Sequence, residues 1–271
     1  MSEIVCDVCF HHCRLAEGKT GFCKARRNEN GQNVCLNYGK LTSIALDPIE
    51  KKPLYGFYPG SMILSCGSFG CNLACPFCQN HEISQHDDLP VYTLMPEELC
   101  ALAQQHPESI GVAFTYNEPS ISWEYVYDCF RLLKQHDQKT VLVTNGSMSE
   151  TVLEKLLPYT DAMNIDLKGD AEFYRELAGD YDTVRRNIAA CIGRTHLEVT
   201  MLIVPGKNDS EEFMRSQSRW LASLDPDTIL HITRYFPRYK YQIPKTDVGV
   251  MRQLKNIAEE SLHHVFLGNV F

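Results

Sequence analysis

Short apolar segments alternate with segments of helical spacing along most of this 271-residue chain. The predicted strands are Met62–Ser65, Ile110–Thr115, Thr140–Thr144, Ala162–Asp166, Leu197–Val204 and Thr228–Thr233. The predicted helices are Pro96–Gln105, Ser120–Gln135, Glu150–Leu157, Ala171–Leu177, Tyr181–Ile192 and Ser210–Ser223. Because repeated strand–helix units join parallel strands by right-handed crossovers, the alternation predicts an α/β fold. Both a barrel-like (β/α) fold and an open doubly wound sheet satisfy this pattern.

Polar side chains follow each predicted strand at its carboxyl end. The stretches are Cys66–Cys78, Tyr116–Pro119, Thr144–Gly146, Asp166–Gly169, Pro205–Asp209 and Arg234–Tyr235. A single motif of this kind is usually a turn. Parallel α/β barrels, however, build their sites from the carboxyl ends of successive strands. Six polar stretches in succession therefore predict a functional site at one edge of the sheet.

The first polar stretch contains Cys71, Cys75 and Cys78 in the spacing C-x3-C-x2-C. A loop with this spacing can wrap an iron–sulfur cube, and three thiolates leave one of the four irons without a protein ligand. An open iron can bind and activate a small molecule. Phe77 places an aromatic ring where it would pack against a bound adenine. The alternative is a zinc knuckle with His81 as the fourth ligand.

A second set of thiols lies near the N-terminus, in a segment that is dense in Cys, Gly and polar residues and lacks sustained periodicity. These thiols are Cys6, Cys9, Cys13 and Cys23. Four thiolates close a tetrahedral zinc site or hold a second iron–sulfur cluster. A short segment with little core of its own gains stability from such a metal. We therefore predict a Cys-rich metal-binding module over residues 1–60 and an α/β domain over residues 61–271.

Composition argues against several classes of function. The net charge of −8 and the pI near 5.7 disfavour binding to a nucleic-acid backbone, which rewards a basic face. The N-terminus lacks the apolar run of a signal peptide, and no segment approaches the roughly 18 apolar residues of a membrane span. We therefore expect a cytoplasmic protein without a membrane partner. The cytoplasm is reducing, so its proteins carry buried thiols or metal ligands rather than disulfides. Cys100, Cys129 and Cys191 lie in predicted helices, where we expect them to be buried thiols.

Several motifs together resemble one family closely. They are the N-terminal cysteines, DPIEKKPL, FYPGS, GCNLACPFCQN, YNEP, VTNG, NIDLKG, VPGKND and the terminal LGN. This pattern covers nearly the whole chain and resembles the radical S-adenosylmethionine (SAM) proteins of the AmmeMemoRadiSam system, relatives of the pyruvate formate-lyase activating enzyme. The resemblance implies a partial (β/α)6 barrel of TIM type and a 4Fe–4S cluster on Cys71, Cys75 and Cys78. The residues that it implies for SAM binding are Glu118, Thr144, Asn145, Asp166 and Lys168.

Glu118 stands where the superfamily has a Gly-Gly-Glu motif, whose carboxylate meets the SAM ammonium group. Tyr116 and Asn117 replace the two glycines here. A carboxylate before the helix at Ser120 also favours that helix through its dipole, and the two roles are compatible. We expect both Asn117 and Glu118 to contact SAM.

Residues after the later strands also have either a ligand-binding or a purely structural role. Thr144 and Asn145 either offer polar groups to the ribose hydroxyls or form a simple turn. Period-two geometry puts Asp166 and Lys168 on one face of a strand, which predicts an ion pair. This pair either presents Lys168 to the SAM carboxylate or is a structural salt bridge at the barrel rim. Arg234 follows the last predicted strand and is expected to contact SAM or substrate.

Cys66 departs from the family pattern, which has a residue without a thiol at this position. Because Cys66 lies close to the cluster loop in sequence, it is a candidate for an additional reactive thiol. The candidate catalytic residues are therefore Cys66, Cys71, Cys75 and Cys78.

The resemblance also implies an activity. Flavodoxin or ferredoxin would reduce the cluster, SAM would be cleaved to a 5′-deoxyadenosyl radical, and this radical would abstract a hydrogen atom from the substrate. The expected partner is a protein substrate or a Memo-like protein. One alternative is a glycyl-radical-enzyme activase. An alternative of another class is a non-catalytic electron-transfer or sensor protein, with four thiolates at each cluster and no SAM binding.

Overall fold

The computed structural model describes residues 3–270. Its strands are β1 (Ile4–Val5), β2 (Arg14–Leu15), β3 (Arg26–Glu29), β4 (Gln32–Cys35), β5 (Lys40–Leu41), β6 (Ser43–Pro48), β7 (Met62–Gly67), β8 (Tyr92–Thr93), β9 (Ser109–Phe114), β10 (Lys139–Thr144), β11 (Ala162–Asp166), β12 (His196–Ile203), β13 (Ile229–Arg234) and β14 (Val265–Gly268). Its α-helices are α1 (His81–Ser84), α2 (Pro96–Gln104), α3 (Trp123–Lys134), α4 (Glu150–Leu156), α5 (Ala171–Glu176), α6 (Tyr181–Cys191), α7 (Glu211–Leu224) and α8 (Val248–Ala258). Short 3-10 helices cover Ile49–Lys51, Pro119–Ser122 and Leu157–Tyr159.

One eight-stranded sheet organises the molecule, with the strand order β14-β13-β12-β11-β10-β9-β7-β6. Strands β7 and β9 through β14 run parallel, and β6 is antiparallel at the edge beside β7. All six predicted strands and their intervening helices are present, so the predicted partial α/β barrel is confirmed. The sequence prediction missed β6, β14 and α8.

The sheet separates two layers of apolar packing. Side chains alternate across a strand, so Leu64 and Cys66 of β7 face the helices, where they join the main core. Ile63 points to the other side and packs against Leu54 and Phe57 inside the barrel. Central parallel strands are buried on both faces in this way. The main core also contains the three buried thiols predicted above, Cys100, Cys129 and Cys191.

The floor of the barrel, at the amino ends of the parallel strands, closes around one buried carboxylate. Glu198 of β12 has no exposed surface and accepts hydrogen bonds from the backbone N–H groups of Tyr55 and Gly56, at 2.9 and 2.8 Å. The ring nitrogens Nε2 of His196 and His231 lie 2.8 and 2.6 Å from the same carboxylate. The segment after β6 is thereby anchored beneath the sheet.

The N-terminal segment packs on the opposite, carboxyl end of the barrel. The N–H of Ser149 donates to the carbonyl of Val8 at 2.9 Å. Gly70 has φ +84°, and a Cβ there would overlap the carbonyl oxygen of Cys23. Glycine is therefore required both by its backbone conformation and by this close approach.

The predicted division at residue 60 stays a prediction, and the structure adds that β6 pairs with the barrel sheet. Met1 and Ser2 of the predicted module and Phe271 of the predicted barrel lie outside the described residues. Within residues 3–270, no helix has the length and apolar character that crossing a membrane requires.

Candidate active site

A cavity of about 340 Å³ opens at the carboxyl ends of the parallel strands, where the polar stretches were predicted to meet. The structure brings together ten of the predicted site residues in its lining. They are Cys71, Cys75, Phe77, Cys78, Asn117, Glu118, Thr144, Asn145, Asp166 and Lys168. Of the residues predicted for this site rather than for the N-terminal metal site, Cys66 and Arg234 do not line the cavity.

The loop that carries the three thiols is tied to its surroundings through backbone hydrogen bonds. The N–H of Ala74 donates to the carbonyl of Leu177 at 2.9 Å. The carbonyl of Pro76 accepts from the N–H groups of Lys240 and Tyr241, at 2.8 and 3.1 Å. These contacts fix the loop from both sides, so the thiols project from a preorganised backbone.

All three thiols reach the cavity; Cys75 is buried, and Cys71 and Cys78 are partly exposed. Burial raises the pKa of Cys75 to about 11. Burial also raises the pKa of Cys71 well above its usual value, and the nearby Glu118 carboxylate and Cys75 thiolate raise it further. Deprotonated thiolates in such a place need a cation. A metal cluster held by these thiols would supply that positive charge.

The turn 116–118 connects the cluster loop with the neighbouring strand. Asn117 Oδ1 accepts from the N–H of Ser68 at 2.9 Å, and its Nδ2 donates to the carbonyls of Phe69 and Gly70, at 3.2 and 3.0 Å. Asn117 therefore holds the backbone that leads into the thiol motif. Its amide is largely engaged by protein groups, which favours a positioning role over direct contact with a ligand.

Glu118 is 1% exposed and lines the cavity. Its carboxylate accepts from the N–H of Ser120 at 3.0 Å, which confirms the predicted support for the following helix. It also accepts from Thr144 Oγ1 at 2.7 Å and from the N–H of Asn145 at 2.8 Å. Burial raises the pKa of Glu118, and these hydrogen bonds partly offset that effect. The carboxylate thus fixes the end of β10 while facing the cavity.

Asn145 connects the end of β10 to the loop that carries the three thiols. Its Nδ2 donates to Oδ1 of Asn72 at 2.7 Å and lies 3.7 Å from the sulfur of Cys71. Thr144 and Asn145 are therefore fixed in the cavity wall beside the first thiol. This placement agrees with the predicted location of a ligand site at the end of β10.

Asp166 and Lys168 form the predicted ion pair, with Lys168 Nζ 2.8 Å from Asp166 Oδ2. Burial opposes the charge of Lys168, but the negative charges of Asp166 and the Cys75 thiolate outweigh it and raise the pKa of Lys168. Lys168 therefore stays an ammonium group beside the thiols. Phe77 closes this side of the cavity, with its ring centroid 5.9 Å from that of Phe173.

Two of the predicted residues point elsewhere. Cys66 faces the helix side of β7, is fully buried among apolar residues, and has a pKa raised to about 12 by burial. This geometry gives no support to a reactive thiol. Arg234 donates from Nε to the carbonyl of Thr246 at 2.8 Å, and its guanidinium lies 5.2 Å from the ring of Phe236. It therefore stabilises the segment after β13 rather than facing the cavity.

Among the lining residues that were not predicted, Lys51, Lys52 and Tyr116 stand out, because two are charged and the third carries a hydroxyl group. The sequence indicates Tyr116 only as the start of a polar stretch and as a replacement for a family glycine, and it shows the two lysines only within the DPIEKKPL motif. The signal was the DPIEKKPL motif itself, because a lysine pair between two prolines in an ordered connector suits a functional segment.

The N-terminal thiols lie close to one another but in less open surroundings. Cys6 and Cys13 are joined by a backbone hydrogen bond of 2.9 Å, and Asn33 Nδ2 lies 3.3 Å from the sulfur of Cys6. Burial raises the pKa of Cys9 to about 12 and that of Cys23 to about 11, with smaller contributions from neighbouring cysteines.

Among residues 3–270, no three potential ligands stand at metal-holding distances, and this is true of both thiol sets. The chemistry of the first set nevertheless fits an iron–sulfur cluster. Three soft thiol donors line one cavity, and the charge of Cys78 contributes to the raised pKa values of Cys71 and Cys75.

A partial α/β barrel with three thiols and a ring of polar strand ends around one cavity defines a barrel enzyme built on a cluster-binding loop. The family model of the radical SAM superfamily matches residues 66–216. An uncharacterized protein of Methanocaldococcus jannaschii is 37% identical over 284 residues, which cover 99% of this chain and 82% of that protein. The chain belongs to the radical SAM superfamily.

Two further relatives are activating enzymes by name. The pyruvate formate-lyase 1-activating enzyme of Escherichia coli is 27% identical over 151 residues, which cover 53% of this chain and 61% of that enzyme. A domain of the pyruvate formate-lyase-activating enzyme from Bacteroides vulgatus shares the fold, with a TM-score of 0.53 and 18% identity over 59% of this chain and 99% of that domain. The superfamily implies a 4Fe–4S cluster and SAM. The finer assignment to the AmmeMemoRadiSam branch stays a prediction.

Proposed function

We propose that this radical SAM enzyme cleaves SAM reductively and abstracts a hydrogen atom from a protein substrate. The observation that carries the proposal is the shared cavity. Cys71, Cys75 and Cys78 lie in one wall, and the polar groups of three neighbouring strand ends complete it. Such an arrangement holds a cluster with an open iron next to a site for a small zwitterionic ligand.

Each residue takes a role that its contacts allow. The three thiols hold the cluster, and Phe77 packs beside the adenine. Glu118 accepts a hydrogen bond from the SAM ammonium group, because it is buried, faces the cavity and retains acceptor capacity beyond its three protein donors. When bound and reduced, the cluster supplies the electron that splits SAM.

Polar groups at the ends of β10 and β11 bind the remainder of SAM. Thr144 and Asn145 meet the ribose hydroxyls. Lys168 meets the SAM carboxylate. Asp166 orients the ammonium group of Lys168, whose Nζ lies 2.8 Å from Asp166 Oδ2. The cavity excludes bulk water from the reacting groups, which protects a radical from side reactions.

The partners follow from the same proposal. A flavodoxin or ferredoxin is the reductant, and the relatives named as activating enzymes support a protein substrate, either a Memo-like protein or a glycyl-radical enzyme. All twelve cysteines are free thiols, which agrees with a reducing cytoplasmic location. Nucleic acid is not an expected partner, given the net charge of −8.

The first test is product formation by the reconstituted protein. Anaerobic reconstitution, followed by dithionite and SAM, is expected to yield 5′-deoxyadenosine, measured by liquid chromatography and mass spectrometry. The competing hypothesis of an electron-transfer or sensor protein predicts no product. An intact cluster by absorption and electron paramagnetic resonance without 5′-deoxyadenosine would therefore overturn the enzymatic proposal.

We further propose that Cys6, Cys9, Cys13 and Cys23 hold a second metal, either zinc or an iron–sulfur cluster. Their proximity to one another supports this, because Cys6 and Cys13 lie close enough to add to the effect of burial on the pKa of Cys23. Cys9→Ala is expected to lower metal content and to lower the midpoint of thermal unfolding, because the free energy of metal binding stabilises the folded state.

Elemental analysis and thermal unfolding check the Cys9 prediction, and the metal lost identifies the site as zinc or iron. Cys191→Ala is the matched control, because Cys191 is fully buried and belongs to neither thiol set. Its metal content is expected to equal that of the wild type. If Cys9→Ala keeps both metal stoichiometry and stability, the second site does not exist.

A further inference from the structure

A cluster of charged residues on the barrel wall has no part in the SAM site described above. We call it the lysine wall and define it as Asp47, Lys51, Lys52 and Tyr116. Lys52 Nζ lies 2.9 Å from Asp47 Oδ2, and Lys51 Nζ lies 3.1 Å from Asp47 Oδ1. Tyr116 donates its hydroxyl to Asp47 Oδ2 at 2.6 Å. The two lysines and the tyrosine line the cavity, and Asp47 lies behind them.

The wall has an unbalanced charge. Two ammonium groups face one carboxylate, which leaves one positive charge. The side chain of Lys52 is only 2% exposed, and within residues 3–270 Asp47 is its one hydrogen-bond acceptor. The ring of Tyr116, 4.6 Å from Nζ, adds a weaker attraction. A buried ammonium group with three N–H donors and one acceptor favours a further anionic partner.

The backbone at Tyr116 is strained in order to build this wall. Tyr116 has φ +71°, a region that costs a bulky residue free energy and that glycine occupies freely. Gly67 leaves the space for the ring, because a Cβ there would lie 2.8 Å from Tyr116 Cδ2. A tyrosine held in a strained conformation beside a cavity indicates a function for its side chain.

The wall is separate from the groups assigned to SAM. Asp47, Lys51 and Lys52 precede the family match over residues 66–216. They are carried by the antiparallel strand β6 and the 3-10 helix after it, not by the parallel strand ends. The segment is held in place from below, because Asn164 Nδ2 donates to the carbonyl of Pro53 at 2.8 Å. Asp47, Lys51 and Lys52 therefore lie outside the segment that the superfamily model matches, which points to a role other than SAM binding, such as substrate binding.

We propose that the lysine wall binds a carboxylate of the substrate, so that the hydrogen atom is taken from a carboxylate-bearing group. The inference rests on the proposed function, because it concerns the same cavity. Lys52 contacts the carboxylate within the barrel, and Lys51 contacts it from the rim. The carboxylate belongs either to a polypeptide, as an acidic side chain, or to a free organic acid.

Matched pairs of ligands that differ only in charge test this proposal on the reconstituted holoenzyme with SAM bound. Glutarate against glutaramide represents the free acid, and N-acetylglutamate amide against N-acetylglutamine amide represents the polypeptide. Anaerobic calorimetry is expected to show at least about tenfold tighter binding of the carboxylate in one pair, the difference that one hydrogen-bonded charge pair supplies. The pair with the larger preference identifies the source.

Variants then locate the binding site. Lys52→Met is expected to lose the carboxylate preference, while the amide ligands bind as before. Asp47→Asn/Lys52→Met removes both charges of the pair and guards against misfolding from an unpaired buried carboxylate. Lys155→Met, on helix α4, is the control and is expected to keep the preference. Thermal unfolding confirms that each variant is folded.

The outcomes separate the two proposals. Equal binding of carboxylate and amide in both pairs, or an unchanged preference in the folded double variant, overturns the carboxylate site. Formation of 5′-deoxyadenosine by the wild type is independent of these ligands. Its absence would overturn the proposed function, whereas its presence without carboxylate preference would overturn the lysine wall alone.

Discussion

Replacing Cys75 with alanine is expected to reduce 5′-deoxyadenosine formation to the background of cluster-free protein. Two thiolates cannot hold the cube that three hold, and without the cluster no electron reaches SAM. The loop itself should survive the change, because its position is fixed by backbone contacts at Ala74 and Pro76. The loss would therefore reflect the missing ligand rather than a collapsed site.

Iron and sulfide content, the absorption of the reconstituted protein and product formation after dithionite measure this outcome. Cys66→Ala is the matched control, since Cys66 is also a buried thiol but packs on the helix side of β7. We expect it to keep cluster and product. Retention of product by Cys75→Ala would contradict the three-thiol cluster, and its loss in a folded Cys66→Ala would contradict the placement of Cys66 in the core.

Local patterns predicted most of the barrel and much of its site. The central parallel strands are buried on both faces, so their apolar runs stand out in the sequence. Period two placed Asp166 and Lys168 on one face, and the ion pair was found at 2.8 Å. The order of polar stretches after successive strands placed Glu118 and Thr144 around one cavity, where they are hydrogen-bonded to each other.

Features that depend on distant contacts escaped prediction. The strand β14 has only four residues, and β6 contains Asp47 and ends in Pro48, which obscures its pattern. The face on which Cys66 lies depends on the register of β7, and closeness in sequence to the cluster loop was a misleading guide. Lys52 meets Tyr116 across 64 residues of sequence, a pairing that only the folded sheet creates.

Glu198 shows the same dependence on distant contacts, and its replacement with glutamine is expected to cost about 3–5 kcal/mol of unfolding free energy. Its carboxylate binds Tyr55 and Gly56, more than 140 residues earlier, and neighbours His196 and His231. Glutamine keeps one acceptor oxygen but places an amide against groups that also donate. The anchored floor of the barrel would therefore loosen.

Chemical unfolding followed by circular dichroism measures this cost. Glu154→Gln is the matched control, because Glu154 forms an exposed ion pair with Arg194 at 2.7 Å, and such pairs contribute less than about 1 kcal/mol. Equal losses in the two variants would show that the buried carboxylate has no special role.

The pH dependence of the same measurement gives an independent check. Burial alone would raise the pKa of Glu198, but the hydrogen bonds from His196, His231 and two backbone N–H groups outweigh it and lower the pKa from 4.5 to about 2. Between these values the unfolded chain binds more protons than the folded one, so stability rises with pH. The ionised Glu198 carboxylate contributes about 3 kcal/mol to the free energy of unfolding. This contribution is complete above pH 4.5 and is lost as the pH falls towards 2. The stability difference between wild type and Glu198→Gln should therefore shrink from pH 5 to pH 3, and a constant difference would mean that folding does not shift the pKa of Glu198.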